Sequence, residues 1–314
     1  MKARLGLAFA GCLLAVNAHA SCGAAFCSTS NDWLSITQGA AQGWRVWGQL
    51  EYLKMDQLRH GSDKVSPGTV AADHEEIKTL NRNALLGLDY GFAPGWSAGL
   101  MLPYSNREHV HQAAGAPDLE AWQFDNIGDM RMTLRYQPPV RTAGGLTGSL
   151  QGGLKLPTGR TDVRNAAGEV AERSVQPGSG TTDLLLGGGL AYSPLTMPGS
   201  LFANLSLQAP LDARDGYQPG WRTSVQAGWL LPVHGRLDLI LQGNALYVNH
   251  DRGVNAEPAD SGHTEVAFVP GLAYAWSRNL SVYGQVELPL YQRVNGLQLT
   301  HAYAMSVGFS LALN

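Results

Sequence analysis

The most restrictive feature of this sequence is an alternation of apolar and polar residues with a period of two, repeated in segment after segment. Two residues is the period of a β-strand, whose successive side chains point to opposite faces. Twelve segments alternate in this way: 43–56, 78–92, 96–106, 125–137, 145–157, 180–193, 199–209, 220–232, 236–249, 263–276, 280–293 and 297–313. Bacterial membrane barrels have an even number of strands. The pattern predicts an all-β fold, a transmembrane antiparallel β-barrel of twelve strands.

Each segment has one apolar and one polar face. In 220–232, Trp221 lies on the apolar face and Arg222 on the polar one, and 125–137 follows the rule with one phase slip. Polar side chains cannot point into lipid, so they should line the interior, either setting the width and field of a pore or only stabilising its wall. The charged residues expected to line the lumen are Arg45, Glu51, Asp89, Asp129, Arg131, Arg135, Lys155, Asp183, Arg222, Asp238, Glu265 and Glu287.

Short and long connections alternate along the chain. The connections after even-numbered strands are short, as at 93–95, and the last hairpin is a tight Asn295-Gly296 turn, a favoured hairpin sequence. The long connections are 57–77, 107–124, 158–179, 210–219 and 250–262. Tight periplasmic turns and long outer loops are typical of a membrane barrel, whereas the alternative, a soluble β-sandwich, does not need this regularity.

The N-terminus has the features of a secretory signal peptide. Lys2 and Arg4 precede an apolar stretch, and Ala18-His19-Ala20 supplies small residues at the cleavage positions. We predict cleavage after Ala20 and export to the outer membrane of a Gram-negative bacterium. The expected parts are then a signal peptide at 1–20, an N-terminal segment at 21–42 and a barrel at 43–314.

The segment 21–42 contains the cysteines that remain after cleavage, Cys22 and Cys27. A local disulfide is favoured in an oxidising periplasm, although the spacing also permits metal binding, and Cys22 lies close enough to the cleavage site for lipidation. The segment is expected either to fold into the barrel mouth as a plug or to form a disordered periplasmic tail.

The composition agrees with a barrel. Charged residues make up 15% of the chain, against about a quarter in a typical soluble domain, and there are 38 glycines. Mean hydropathy is only −0.12 because alternating strands cancel. No continuous apolar stretch after the signal peptide is long enough for a membrane-spanning helix. The net charge is −3, without a basic patch, so no nucleic-acid partner is expected.

The strand ends carry two further signals of a membrane barrel. Aromatic residues cluster there, as in the girdles that lie at the level of lipid headgroups. The sequence from Ser306 to Leu313 resembles the C-terminal assembly signal of outer-membrane proteins, although Asn314 follows it and no terminal aromatic is present. The expected partners are outer-membrane lipid, a small-molecule solute and, through the C-terminal strand, the outer-membrane assembly machinery.

Four segments together resemble the outer-membrane transporter family associated with meta-pathway phenol degradation. They are Gly-Leu-Met-Leu-Pro-Tyr at 99–104, Gly128-Asp129, Leu-Lys-Leu-Pro-Thr-Gly-Arg at 154–160 and Gln-Pro-Gly-Ser-Gly-Thr-Thr-Asp at 176–183. The Pro-Thr-Gly paired with a downstream Pro-Gly-Ser-Gly and Asp is the most specific part. The resemblance extends over most of residues 43–313 and implies a barrel for uptake of aromatic compounds. The paired motif turns the chain out at the end of one strand and back into the start of the next. It is either an ordinary loop sequence or part of a gate or binding site.

Two residue sets suggest other chemistry. His109 and His111 lie two apart with Glu108 beside them, but two ligands make half a metal site, so solvated loop histidines are favoured and no metal or cofactor is predicted. A barrel esterase would need a serine near a histidine, such as Ser281 near His301, and no nucleophile-elbow motif is present. We expect a passive channel or transporter for small molecules, including aromatic or hydrophobic ones, and not an enzyme. A structural or binding barrel with a closed lumen is the alternative.

Overall fold

A computed structural model describes residues 42–70, 74–113, 118–138 and 145–313. No helix among them is long and apolar enough to cross a membrane. The strands are β1 (Gly43–His60), β2 (Asp63–Lys64), β3 (His74–Ala93), β4 (Trp96–Ala113), β5 (Glu120–Ile127), β6 (Arg131–Tyr136), β7 (Leu146–Lys155), β8 (Asp183–Tyr192), β9 (Ser200–Pro210), β10 (Arg222–His234), β11 (Leu237–Val248), β12 (His263–Ala275), β13 (Leu280–Val294) and β14 (Leu297–Leu313).

The strands form one antiparallel sheet that closes on itself. Each strand from β6 to β14 pairs with the next, and β4, β3 and β1 continue the order. The barrel closes because β1 also pairs with β14, from Trp44 opposite Leu313 to His60 opposite Leu297. β5 and β6 both pair with β4 and together make one barrel strand, whereas β2 has only two residues. The predicted twelve-stranded antiparallel barrel is confirmed.

The two faces of the barrel wall differ in polarity. Leu50, Leu150 and Leu205 are exposed on the outer face, whereas Gln226 and Gln242 are buried on the inner face. An outer apolar band is what lipid requires, because a polar side chain in hydrocarbon has no hydrogen-bonding partner.

Aromatic side chains pair between neighbouring strands at both ends of the barrel. At the end with the short turns, the ring centroids of Trp44 and Tyr90 are 4.4 Å apart. At the end with the long loops, those of Trp221 and Tyr247 are 5.2 Å apart. These pairs lie where the predicted girdles would meet the lipid headgroups.

At the end of the barrel with the long loops, the strands on one side continue beyond the ends predicted from the apolar–polar alternation. The predicted loops at 57–77 and 107–124 are wrong in extent, because β1 continues to His60, β3 begins at His74 and β4 continues to Ala113. Charged and polar residues occur on both faces of this extension, so its apolar–polar alternation is lost although the strand conformation continues.

The outward side chains of the extension are charged. Arg82 donates hydrogen bonds to Asn106 at 2.7 Å and to Glu108 at 2.9 Å, and Lys78 lies 3.8 Å from Glu108. A charged outer surface does not suit lipid contact, so this part stands above the apolar band. We call it the outer wall: residues 74–82 of β3, 105–113 of β4 and all of β5.

The predicted strand 125–137 is in fact β5 and β6, separated at residues 128–130. The phase slip in the sequence falls at this break, because the two sides of an interrupted strand need not keep the same inward-facing positions. Two neighbouring predictions were also too long: β7 ends at Lys155 and β8 begins at Asp183.

The strand break lies beside Pro103 of β4, which has no N–H to donate to the sheet. The amide of Gly128 donates to the carbonyl of Pro103 at 2.9 Å. The hydroxyl of Thr158 donates to the carbonyl of Gly128 at 3.0 Å and accepts from the amide of Met130 at 2.9 Å. One threonine side chain therefore replaces two ladder hydrogen bonds that the break removes.

Several predictions concern residues outside the described part of the chain. They are the signal peptide at 1–20 with its cleavage after Ala20, the plug or tail at 21–42, of which only residue 42 is described, and the Cys22–Cys27 disulfide. They stay predictions.

Candidate functional site

The barrel encloses a central cavity of about 340 Å³. Eight of the twelve charged residues predicted to face the lumen line this cavity: Arg45, Glu51, Asp89, Arg131, Arg135, Arg222, Glu265 and Glu287. Apolar side chains, including Leu85, Met101 and Leu185, share the lining. The cavity therefore combines charged and apolar surface.

The other four predicted residues lie elsewhere. Asp129, Lys155 and Asp183 are buried beside the strand break, outside the lining of the central cavity. Asp238 is half-buried near the short-turn end of β11, opposite Pro232 and Ala273, and is not part of that lining.

The lining arginines of β6 and the lining glutamates occupy different sectors of the cavity wall. Arg131 and Arg135 are on β6, whereas the glutamates are on β12, β13 and β1. Three other lining arginines lie on or near the strands of the glutamates: Arg45 on β1, Arg293 on β13 and Arg222 on β10. In the closed order, β12, β13 and β1 are neighbours through β14, and β6 lies across the lumen from them. Opposed charges across a narrow space produce a field transverse to the barrel axis.

Hydrogen bonds fix the arginines of the positive sector. Arg135 donates to Oε1 of Gln151 at 2.5 and 3.2 Å, and Arg131 donates to Oε1 of Gln208 at 3.2 Å. These amide partners help to hold the guanidinium groups in place.

Arg45 differs from the other lining arginines because it forms an ion pair. Its guanidinium lies 3.0 Å from Asp89, so this pair adds little net charge to the cavity.

The negative sector centres on His301. Its Nε2 lies 3.4 Å from Oε1 of Glu287 and 3.7 Å from Oε1 of Glu265. Gln292 donates to Glu265 at 2.9 Å, and Asn244 donates to Glu287 at 3.1 Å. The two glutamates are therefore held close together on the inner wall.

A buried ion triad lies beside the strand break. The ammonium of Lys155 lies 3.2 Å from Asp129 and 2.9 Å from Asp183, and all three side chains are 1% exposed. Asp129 also accepts from the amide of Gly159 at 3.0 Å and from the amide and hydroxyl of Ser179 at 2.8 and 2.9 Å. Both carboxylates thus have several donors, as buried charges require.

The four segments that carry the family resemblance meet at this triad. Gly159 and Gly178 lie back to back: a Cβ added to Gly178 would be 2.5 Å from the carbonyl oxygen of Gly159. A Cβ on Gly128 would be 3.0 Å from the ring of Pro103 and 3.1 Å from the carbonyl of Pro177. The motif therefore holds the two ends of one loop against the strand break.

That loop, residues 156–182, bends into the outer mouth of the barrel, and we call it the inner loop. Val163 and Val175 form a buried cluster with Phe124 of the outer wall. Arg107, also in the outer wall and fully buried, donates to the carbonyl of Val175 at 2.7 Å. The sequence motif thus positions a segment that narrows the entrance.

Carboxyl groups crowd together where the inner loop meets the outer wall. Burial first, and then the charges of Glu76 and Glu120, raise the pKa of Glu172 well above the usual range. Burial, followed by the charges of Glu172 and Glu76, raises the pKa of Glu257 in the neighbouring loop to about 10. The crowding of these buried carboxyl groups thus favours their protonated, neutral forms.

The prediction that His109 and His111 are solvated loop residues is wrong. Both belong to β4, where they are 1% and 2% exposed. The signal available in the sequence was their spacing, because residues two apart share a face if the strand continues. Their partner Glu172 comes from the inner loop, about sixty residues later in the chain, and nothing local in the sequence indicated it.

The residue pair behind the esterase alternative does not come together. Ser281 lies opposite Ser310 of β14, whereas His301 lies opposite Met55 of β1. Nine residues along a strand separate Ser310 from His301, or about 30 Å at roughly 3.3 Å per residue. This serine and histidine therefore cannot act together.

Comparisons with known proteins agree on the fold. No protein-family model and no curated sequence matches the chain. An outer membrane channel from Pseudomonas putida F1 is 12% identical, with 91% of this chain and 100% of that chain covered and a TM-score of 0.68. This protein therefore has the β-barrel fold of an outer-membrane protein.

Other solved barrels are less similar. The transport unit of the autotransporter AIDA-I from Escherichia coli is 12% identical over 93% of this chain and 95% of that chain, with a TM-score of 0.48. A mutant of the monoaromatic hydrocarbon channel TodX is 12% identical over 91% of this chain and 95% of that chain, with a TM-score of 0.47. At these scores the likeness is only that of one membrane barrel to another.

Proposed function

We propose that the protein is a passive outer-membrane channel for small molecules, without a catalytic role. The observation that carries this proposal is the central cavity inside a closed barrel, whose wall bears the arginines of β6 on one side and glutamates on another, together with apolar side chains. Solutes would move down their concentration gradient.

We further propose that the solutes include small aromatic molecules. The family resemblance supports this, as does the presence of Leu85, Met101 and Leu185 beside the arginines of the lining. An aromatic carboxylate would place its ring on the apolar surface and its charge near a guanidinium. Flux of benzoate, phenol and glucose into liposomes tests the proposal: the increase over protein-free liposomes should be greatest for benzoate. If none enters faster than into empty liposomes, the barrel is a closed structural or binding protein.

The proposed partners are lipid and the assembly machinery. Val307 and Phe309 of the C-terminal strand are exposed on the outer face, where both lipid and an assembly factor could contact them. Truncation of residues 306–314 should abolish insertion into outer-membrane vesicles while synthesis and export continue. Normal insertion of the truncated chain would contradict this partner.

Removing one lining charge should change ion selectivity. In Arg131→Ala the cation-to-anion permeability ratio should rise about tenfold, because a unit charge roughly 6 Å away in water contributes about 0.7 kcal/mol to each ion, with opposite signs for cation and anion. Glu287→Ala should lower the ratio by a similar factor. Reversal potentials in a salt gradient across a planar bilayer measure both changes.

Arg236→Ala is the matched control, because Arg236 is exposed on a short turn outside the cavity lining. It should leave the reversal potential unchanged. Equal permeability ratios in all three variants would remove the charged sectors from the proposed mechanism.

A further inference from the structure

Two histidines of the outer wall face a glutamate of the inner loop. Each of His109, His111 and Glu172 offers one ligand atom, and the three atoms lie within 4.8 Å of one another. We propose that these residues bind a divalent transition-metal ion, with zinc as the best fit. Two imidazoles and a carboxylate are a common protein ligand set for zinc, which leaves a fourth position for water.

Each histidine already has a partner on one of its ring nitrogens. Nδ1 of His109 lies 2.8 Å from the hydroxyl of Thr79, and Nε2 of His111 lies 2.8 Å from Oε2 of Glu120. If each of these nitrogens carries the proton, the metal would bind through Nε2 of His109 and Nδ1 of His111. Nδ1 of His111 lies 3.3 Å from Oε1 of Glu172. Metal-binding histidines usually have such a partner on the second nitrogen.

The local charge also favours a cation. Glu172 is 10% exposed and lies close enough to Glu76 and Glu120 for their charges to act on it. Glu76 is 3% exposed and accepts a hydrogen bond from the amide of Leu299 at 3.2 Å. Several carboxylates gathered in one poorly solvated place repel one another, and a divalent cation would relieve this repulsion.

The surroundings suit a transition metal better than calcium or magnesium. Imidazole nitrogens select zinc, copper, nickel or iron, whereas calcium and magnesium prefer oxygen ligands alone. Trp122 closes one side of the site, with its ring centroid 4.7 Å from that of His111. Its position makes Trp122 an internal reporter for a bound metal.

The site would join two parts of the entrance. His109 and His111 belong to the outer wall and Glu172 to the inner loop, so a bound ion would fasten the loop to the wall above the membrane. This inference does not depend on solute transport. A barrel with a closed lumen could bind the metal equally well.

The test uses the mature protein in detergent, stripped with a chelator and then titrated with Zn²⁺ alone. Equilibrium dialysis with elemental analysis should give one tightly bound zinc per chain, absent from His109→Ala/His111→Ala. Glu120→Gln should weaken binding about 10- to 100-fold, the usual effect of removing a partner of a metal-binding histidine. A mobility shift on heating verifies that each variant is a folded barrel.

His60→Ala is the matched control, because His60 is exposed at the end of β1 and outside the cluster. It should bind zinc like the parent protein. The proposal is overturned if the parent binds no more zinc than the double histidine variant, or if His60→Ala loses as much binding.

Two further measurements keep the proposal testable if the double variant does not fold. Cu²⁺ should quench the emission of Trp122, and the quenching should disappear in Trp122→Phe. Zinc should also slow tryptic cleavage at the exposed Arg160 and Arg164 of the inner loop, but not in Glu172→Gln. Quenching that persists in Trp122→Phe, or equal protection in Glu172→Gln, would place the metal elsewhere.

Discussion

Replacing Lys155 with methionine should lower the free energy of unfolding by about 3–5 kcal/mol, the usual cost of removing one partner of a buried ion pair. Lys155 is the cation between Asp129 and Asp183, and all three side chains are 1% exposed. Without the ammonium, two carboxylates face each other in a poorly solvated place. One of them must then take up a proton or the strand break must open to water.

Urea unfolding in detergent micelles, followed by tryptophan emission, measures this effect. Lys54→Met is the matched control, since Lys54 forms a comparable pair with Asp56 at 2.6 Å on the exposed outer surface. An exposed ion pair contributes little to stability, so this variant should unfold near the parent midpoint. Equal destabilisation by the two substitutions would show that burial of the triad has no special effect.

A triple variant, Asp129→Asn with Lys155→Met and Asp183→Asn, distinguishes the effect of the unpaired carboxylates on stability from the effect of the changed side-chain shape at Lys155. Neutral side chains of similar size avoid the unpaired carboxylates, so the triple variant should be more stable than Lys155→Met alone. The amide at position 129 keeps one oxygen that can accept from Gly159 or from Ser179, but not from both, so part of this hydrogen bonding is lost. A triple variant less stable than the single one would indicate that the ion pairs themselves stabilise the loop.

The barrel could be predicted from sequence because lipid restricts the chain so strongly. A strand in contact with lipid on one face and a polar lumen on the other must alternate, as the segment 220–232 does. Outside the lipid this restriction ends. The outer wall has polar residues on both faces, including Glu108 outside and His109 inside, so residues 74–77, 107–113 and 120–124 were predicted as loops.

The predicted lumen charges differ in how they relate to the strands. Arg131 and Glu287 follow the alternation and line the cavity. Asp129 lies in the strand break, where it accepts from loop amides instead. The approach of the inner loop to the outer wall depends on contacts between distant parts of the chain, so Glu172 could not be associated with His111 by spacing.

Replacing Gly178 with valine should release the inner loop from the barrel mouth. The added Cβ would lie 2.5 Å from the carbonyl oxygen of Gly159 and 2.7 Å from its Cα. Backbone atoms cannot move aside as a flexible side chain can, so the two ends of the loop must separate. The loss of packing should cost about 1–3 kcal/mol, the usual effect of inserting bulk into a filled space.

Single-channel recording measures the functional result. The inner loop lies in the entrance with Val163 and Val175 against Phe124, so its release should widen the path and raise the conductance. Ala167→Val adds similar bulk at an exposed position of the same loop and should leave both stability and conductance unchanged. If Gly178→Val loses stability while its conductance equals that of Ala167→Val, the inner loop does not limit the current, and the narrowest part of the pathway must lie deeper, among the charged sectors of the central cavity.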